Sequence, residues 1–251
     1  MTDVAFQMWE PFRQSLLAKH GFYVEQARTR LLSQFDRMEE EADAAAEAYL
    51  ERIGMHFDPD CHDVGDFYES AHEKGIEFYQ MLNEMRTATR LSVIADMFHQ
   101  WDKQLRDWIV SEMRHWHHGE HVKKAIWQQD FPRIMDLLAS FGWNPRSLET
   151  FSNLNAMRLV VNVFKHGDGK SLEDLKSLHP EYLAPETRRQ IDWPLDFFGY
   201  ADLQVTDDQI KRFVDAISNF WISVPAIIPL ADEVNVPDWF EKAYGKDHKL
   251  K

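Results

Sequence analysis

The stretch LSVIADMFHQWDKQLRDWI, residues 91–109, decides the fold class. Its apolar side chains recur at steps of three and four residues, the spacing that places side chains on one face of an α-helix. The positions on this face are Leu91, Ile94, Met97, Phe98, Trp101, Leu105, Trp108 and Ile109. The pattern predicts a helix whose apolar stripe is buried in a helical core.

The sequence before and around this stretch also predicts helices. Residues 67–116 form one helical block, in which Gly75 and the length indicate either a bend or two helices. Residues 21–53 are rich in Ala, Leu, Glu and Arg and predict a long helix, which the turn-rich segment 54–66 ends. Gly and Pro number only 10 each, which favours a helical protein over an all-β one.

The second half of the chain predicts shorter helices. Ser171 with Asp174, and Thr206 with Gln209, have the three-residue spacing of a capping box at a helix start. The segment 179–206 is irregular and has room for one short strand. Helices are expected at about 131–141 before Gly142, at 148–166, after Ser171 and, as the last one, at 207–224. We therefore expect one all-α domain over residues 1–251, an antiparallel helical bundle with an irregular C-terminal elaboration.

The charge and the single cysteine restrict the function classes. The chain has 42 acidic and 28 basic residues, a formal net charge of −14 that disfavours broad non-specific binding to nucleic acid. Cys61 is the one cysteine, so an internal disulfide is impossible and a reducing compartment is expected. No signal-peptide pattern opens the sequence, and no apolar run reaches the roughly 18–20 residues that span a bilayer. These features predict a cytoplasmic protein without a membrane segment.

Residues 158–171, RLVVNVFKHGDGKS, contain the candidate site. On a helix, Arg158, Asn162, Lys165 and His166 fall within an arc about 100° wide, and Gly167 is placed to end that helix. The arc either faces solvent or faces a cleft between helices or subunits. In a cleft, His166 has a side chain suited to proton transfer, while Arg158 and Lys165 are suited to phosphate binding.

The phrase N-x-x-K-H-G-x-G within this stretch resembles a signature of bacterial proteins that are similar to the HEPN superfamily. The resemblance implies a helical bundle that often dimerises and acts as a metal-independent RNase in toxin, abortive-infection and antiphage systems. It implies RNA or a nucleotide as substrate, a homodimer, a neutralising or regulatory partner protein, and no cofactor or metal. It further implies that His166 is the general acid or base, Arg158 and Lys165 stabilise the transition state, and Asn162 positions the reacting group.

Two other arginine–histidine pairs have a spacing nearer to that of the superfamily. The HEPN signature separates the two residues by four to six positions, whereas seven residues lie between Arg158 and His166, and Leu159 replaces the usual polar neighbour. Six residues separate the members of the other pairs, which are Arg13 with His20 and Arg114 with His121. The single polar arc, the glycine stop and the resemblance favour Arg158 with His166 as the catalytic pair, and the other two pairs remain open. The alternative is a non-catalytic module that binds a nucleotide or a protein through 158–166.

A histidine cluster in RHWHHGEHVKK, residues 114–124, offers a metal-binding alternative. His117, Glu120 and His121 match H-x-x-E-H, in which two histidines one helical turn apart bind zinc. Gly119 weakens the helix that this motif needs. Further metal ligands would come from His115 and His118 of the same stretch, or from a second histidine-rich stretch, HFDPDCH at residues 56–62, which offers His56, Cys61 and His62.

Overall fold

The computed structural model of the chain describes residues 4–183, 194–230 and 235–249, and its helical content confirms the all-α class. Short 3-10 turns occur at Leu32–Phe35, Pro145–Ser147, Pro180–Tyr182, Leu195–Phe197 and Tyr200–Asp202. The helices and strands are β1 Val4–Gln7, α1 Glu10–Arg30, α2 Met38–Gly54, α3 Val64–Met113, α4 Glu120–Gln128, α5 Phe131–Ser140, α6 Phe151–His166, α7 Lys170–Leu178, α8 Asp207–Ser223, β2 Ile227–Pro229 and α9 Asp238–His248.

The chain forms two compact units, one made of residues 25–93 and the other of residues 1–24 with 94–251. Helices α1 and α3 contribute residues to both units. The expectation of one domain over residues 1–251 stays a prediction. Among the described residues, no helix has the length and apolar character needed to cross a membrane.

The apolar stripe of residues 91–109 is buried at all eight of its positions, as predicted. Trp101 packs edge-on against Phe220 with ring centroids 5.0 Å apart, and Trp108 packs edge-on against Trp221 at 6.4 Å. Burial of each such side chain contributes on the order of 2–3 kcal/mol. The C-terminal half of α3 and helix α8 therefore form the aromatic core of the larger unit.

The long helix predicted over 21–53 was wrong, because the structure has two helices there. Helix α1 begins at Glu10, where Pro11 fits the first turn, and it continues through Gly21 to Arg30. It ends where the Ser33 hydroxyl donates to the Thr29 carbonyl at 2.8 Å and a 3-10 turn begins. That turn buries Phe35, so tertiary packing breaks a sequence whose local composition favours a continuous helix.

Helix α3 is one helix of 50 residues, so the two-helix option for residues 67–116 was wrong. Gly75 does not interrupt it. A Cβ at Gly75 would lie 3.1 Å from the Ala46 Cβ and 3.2 Å from the Ala42 carbonyl oxygen. The glycine thus serves a close approach of α3 to α2 within the smaller unit.

Local capping signals succeeded at one helix start and failed at another. Thr206 and Gln209 form the predicted capping box of α8, with the Thr206 N–H donating to Gln209 Oε1 at 2.8 Å. The predicted box of Ser171 and Asp174 was wrong. Helix α7 begins at Lys170, after Gly169, and Ser171 lies inside its first turn without capping it.

The sequence prediction also missed elements near both ends of the described chain. Strands β1 and β2 pair antiparallel, and the prolines flanking the two isoleucines of β2 favour extended backbone over helix. The strand allowed in 179–206 is absent from residues 179–183 and 194–206, while 184–193 lie outside the described residues. The helix predicted at 207–224 is confirmed as α8, Asp207–Ser223, but it is not the last helix, because α9 follows it. Pro237 and the acidic Asp238 mark the start of α9.

Candidate functional site

Helix α6 carries the four candidate side chains and is buried on most of its surface. Its apolar residues at 154, 156, 157, 159–161 and 163 are all buried, which confirms a helix rather than a strand for this valine-rich stretch. The helix ends at Gly167, whose φ is +71° and whose N–H donates to the Val163 carbonyl at 2.8 Å. Glycine adopts this left-handed backbone without a steric penalty, so the predicted helix stop is confirmed.

The structure places the four side chains in two different environments. Arg158 and Asn162 are half-buried, whereas Lys165 and His166 are exposed. The Arg158 guanidinium donates to Asn155 Oδ1 from Nε at 3.2 Å and from Nη2 at 2.9 Å. Burial lowers the pKa of Arg158, and the nearby carboxylates of Asp174 and Asp130 oppose that shift.

The two ends of the strip are separated along the helix axis. Eight residues from Arg158 to His166 correspond to a rise of about 12 Å. Side chains on a helix also lean towards its N-terminus, which carries the Arg158 guanidinium away from His166 and onto Asn155. Within one chain, Lys165 and His166 are therefore consecutive residues at the end of the helix, and Arg158 lies about two turns before them.

The turn between α6 and α7 lies against Tyr200, and Lys165, His166 and Lys170 flank this turn in the sequence. Lys170 is the first residue of α7, whose N-cap is Gly169, so no side chain caps its first turn. The Tyr200 N–H donates to Asp168 Oδ1 at 3.0 Å, and a Cβ at Gly167 would lie 3.7 Å from the Tyr200 ring. We call Lys165, His166, Lys170 and Tyr200 the turn site.

The turn site has the groups that a phosphate-bearing ligand requires. Lys165 and Lys170 are exposed cations, and the N–H groups at the start of α7 add a partial positive charge. The Tyr200 side chain is 57 % exposed, so its ring has a free surface for stacking on a base. His166 is exposed and is the residue type that transfers protons near neutral pH.

The pair Arg13 and His20 holds helix α1 against helix α8. The Arg13 guanidinium donates to the carbonyls of Trp221, Ile222 and Val224, at 2.9 Å for the last two, at the C-terminal end of α8. The ring of His20 bonds the Val214 carbonyl at 3.1 Å, and burial lowers its pKa. Both side chains are buried and engaged with backbone, which is a structural role.

The histidine cluster is arranged differently from the H-x-x-E-H expectation. Helix α4 begins at Glu120, so His117 precedes the helix and does not share a helical turn with His121. The His117 ring bonds Asp247 Oδ2 at 3.0 Å, and both side chains are buried. Asp247 also accepts hydrogen bonds from the backbone N–H groups of His121 at 2.9 Å and Val122 at 3.0 Å.

Asp247 therefore caps helix α4 from α9. Burial raises its pKa, but the hydrogen bonds from the His121 and Val122 backbone and from His117 outweigh burial, so the pKa lies below its ordinary value. The local N-cap residue is Gly119, and a Cβ there would lie 1.9 Å from Asp247 Oδ2. The glycine leaves the space that the remote carboxylate fills.

The metal alternative finds no support in the geometry. Among the described residues, no group of three or more His, Cys, Asp and Glu side chains is placed to hold a metal ion. Arg114 and His121, the third arginine–histidine pair, are both exposed. In the other histidine-rich stretch, the His62 ring accepts from the Asp58 N–H at 2.9 Å, and Cys61 is exposed.

Sequence reasoning missed Lys170, Tyr200 and Asp247 as residues of interest. Lys170 has a local signal, because Gly-Asp-Gly-Lys-Ser places a lysine directly after two glycines at a helix start. Tyr200 and Asp247 have none, since each reaches its partner across a long sequence separation. Comparison of the chain with protein-family models, curated proteins and solved structures gave no match.

Proposed function

We propose that this chain is a metal-independent RNase of a bacterial or phage-related defence or stress system, and that it binds RNA at the turn site. The observation that carries the proposal is the exposed Lys165–His166 pair at the end of α6. The turn that follows the pair lies against the Tyr200 ring and leads into the first turn of α7. The resemblance of residues 158–171 to the HEPN superfamily supports the same assignment.

In this proposal Lys165, Lys170 and the first N–H groups of α7 bind backbone phosphate, and Tyr200 stacks on an unpaired base. The surrounding net charge of −14 opposes non-specific binding, so the ligand is a short single-stranded or looped RNA. With two phosphate contacts, affinity should fall about sevenfold between roughly 50 and 200 mM salt. A much steeper salt dependence would indicate a larger basic surface than the turn site offers.

Cleavage proceeds by attack of a ribose 2′-OH on the adjacent phosphate. The neutral imidazole of His166 takes the 2′-OH proton, the new 2′-O–P bond forms, and the P–O5′ bond breaks. The 5′-oxygen leaves with a proton from water or an acid, which gives a 2′,3′-cyclic phosphate. Lys165 stabilises the added negative charge, and Asn162, one turn before His166, orients the imidazole.

Arg158 takes part through a homodimer in this proposal. The backbone positions of Arg158 and His166 lie about 12 Å apart along the helix, and the Arg158 guanidinium is held by Asn155 on the side away from His166, so the two side chains do not meet at one phosphate. A dimer that joins two strips of residues 158–166 shortens that separation between subunits. A neutralising or regulatory partner protein would then act by covering the same face.

The test compares His166→Ala and Lys165→Ala with the wild type, and uses Lys124→Ala as the matched control. Lys124 is an exposed lysine of α4 and lies outside the turn site. RNA binding is measured by fluorescence anisotropy, and cleavage by gel analysis of end-labelled RNA in EDTA. Growth and total RNA integrity after expression in bacteria give a readout in cells.

We expect His166→Ala to lose cleavage by about 10²–10⁴-fold while RNA binding changes little. Lys165→Ala should weaken binding and cleavage together, and Lys124→Ala should change neither. Full cleavage by His166→Ala contradicts the nuclease assignment. Loss of activity in the control variant would show that the assay reports overall surface charge.

A non-catalytic binding module is the second candidate, favoured by the separation of Arg158 from His166 and by the acidic surface. It predicts a wild-type protein that binds RNA or a nucleotide through Lys165 and Tyr200 without producing any cleavage. The same measurements therefore separate the two candidates. Both place the protein in the cytoplasm, in keeping with its single exposed cysteine.

A further inference from the structure

We propose that the smaller unit of the chain, residues 25–93, binds a basic amphipathic helix of a partner protein in a groove between α2 and α3. The groove is an open depression of about 230 Å³, and all of its lining residues belong to this unit. A cavity of about 150 Å³ holds benzene, so the groove has room for one or two apolar side chains of a partner. The turn site belongs to the larger unit, so the proposed function does not use this surface.

The groove offers exposed apolar side chains to a partner. Phe78, Met81 and Met85 follow one another on α3 at steps of three and four residues, so they share one face of the helix. Met81 is 52 % exposed and Met85 is 61 % exposed, while Phe78 is half-buried. Across the groove, the half-buried Tyr49 of α2 supplies a second apolar wall. A ligand in the groove therefore meets hydrocarbon that is in contact with water in the free protein.

The shape of the groove suits a helix. Ala45 and Ala48 of α2 line it, and their small side chains leave space for a partner between the two helices. The face formed by residues 78–85 rises about 10 Å along α3, which corresponds to two turns of a partner helix. Apolar anchors spaced by three, four and seven residues are how an amphipathic helix fills such a groove. Methionine is unbranched and polarizable, so Met81 and Met85 can adapt to the anchors of a partner.

The charge of this unit determines the chemistry of the partner. Residues 25–93 contain 16 acidic and 7 basic residues, so this unit carries −9 of the chain's net charge of −14. Two exposed carboxylates border the groove, because Glu84 lies one turn after Met81 on α3 and Glu41 lies one turn before Ala45 on α2. Lysine and arginine side chains next to the anchors of a partner helix complement this charge.

The two cations that line the groove are engaged within the unit. Lys74 forms an ion pair with Glu77, and the Arg52 guanidinium lies over the Tyr49 ring, 5.0 Å from its centroid. Both cations lie at the end of the groove nearest the turn between α2 and α3, one helical turn beyond Phe78 and Ala48. The end of the groove that contains Met81 and Met85 is therefore the acidic end.

The same charge argues against other occupants. A second copy of the chain brings a second unit of charge −9 to the interface, and nucleic acids and anionic membranes are negative as well. Each of these would be repelled by the acidic end of the groove. A basic amphipathic helix brings the opposite charge together with the apolar anchors that the groove accepts.

The experiment measures binding of a fluorescein-labelled peptide, LKKLLKLLKKLLKL, to the purified full-length protein by fluorescence anisotropy. On a helix the leucines of this peptide share one face and its lysines share the other. The peptide LEELLELLEELLEL keeps the apolar face and reverses the charge. A shuffled peptide with the composition of the first keeps the charge and disperses the apolar face.

The variant protein combines Met81→Ala with Met85→Ala, and Met55→Ala is the matched control. Met55 is 77 % exposed and belongs to the same unit, but it follows the end of α2 and does not line the groove. All three methionines are exposed, so the variants are expected to fold, and circular dichroism checks this. NMR of protein labelled with ¹³C at the methionine methyl groups locates the bound peptide directly.

We expect the wild type to bind the lysine peptide with a dissociation constant in the micromolar range, more weakly as salt is raised. The double variant should weaken binding by about 10–50-fold, and Met55→Ala by less than about twofold. The methyl signals of Met81 and Met85 should shift on binding, whereas that of Met55 should not.

The proposal fails if the wild type shows no saturable binding up to about 100 μM, or if the double variant binds as tightly as the wild type. Equal binding of the glutamate peptide would remove the role of charge, and equal binding of the shuffled peptide would remove the role of the apolar face. Either result overturns the proposal. It is also overturned if sedimentation shows a wild-type dimer that the double variant abolishes, because a second copy would then occupy the groove.

Discussion

Replacing Asp247 with alanine should lower the free energy of unfolding by about 2–4 kcal/mol. The carboxylate accepts hydrogen bonds from the His121 and Val122 backbone N–H groups, as an N-cap side chain does, and this part contributes about 1 kcal/mol. Its loss also leaves the buried His117 ring without its partner, which costs a further 1–3 kcal/mol or so.

The effect of a second substitution should reverse sign between the two backgrounds. In the wild type, Gly119→Asp is destabilising, because its Cβ would lie 1.9 Å from Asp247 Oδ2 and would bring two carboxylates together. In the Asp247→Ala protein the carboxylate is gone, and the His117 ring, which also lies against a Cβ at Gly119, has lost the partner that holds it and can shift away. The new side chain can then accept from the Val122 N–H as an ordinary N-cap. There, Gly119→Asp should stabilise the protein by about 1 kcal/mol.

Urea denaturation of the four proteins, followed by circular dichroism, gives the free energies of this double-mutant cycle. Hydrogen exchange of the His121 and Val122 amides supplies a local readout, since both should exchange faster in Asp247→Ala. The reasoning is refuted if Gly119→Asp has the same sign in both backgrounds. It is also refuted if those two amides stay as protected in Asp247→Ala as in the wild type.

Two further predictions concern glycines and pH. Gly21→Ala should raise thermal stability by about 0.5–1 kcal/mol, because Gly21 is an exposed helical position with no atom within 4 Å of the added methyl group. Gly75→Ala should lack this gain or destabilise the protein, because its methyl group would press on Ala46 and Ala42. Calorimetric melting of both variants tests this difference. Equal gains in stability would contradict the close contact between the two helices. Burial lowers the pKa of His20, so below about pH 6.5 the unfolded chain binds a proton that the folded chain does not, and stability should fall with acidification. His20→Gln should show a shallower loss than the wild type in urea denaturation between about pH 7.5 and 5, and identical slopes would contradict the shift.

The parts of the fold that were predictable depend on neighbours in sequence. The stripe at residues 91–109, the Thr206–Gln209 box and the glycine stop at Gly167 each follow from side chains within one or two helical turns. The break between α1 and α2 does not, because burial of Phe35 depends on residues distant in sequence. Composition alone favours a helix there.

The same distinction holds for the candidate site. That Arg158, Asn162, Lys165 and His166 lie on one helix follows from local periodicity. Their different exposure, and the place of Tyr200 beside the Gly167 turn, depend on how the rest of the chain packs against α6. Spacing in a sequence therefore identifies which groups share a helix face but leaves their access to a ligand undetermined.

The hydrogen bonds of Arg13 have a consequence for how the chain is made. Arg13 lies 211 residues before its acceptor Val224, so at about 5–20 residues per second a ribosome needs roughly 10–40 s to supply that acceptor. During this interval the guanidinium stays hydrated, strand β1 has no partner, and the larger unit stays open. Residues 25–93 emerge early and have their own contacts, so the nascent chain should acquire local helical structure long before its two ends meet.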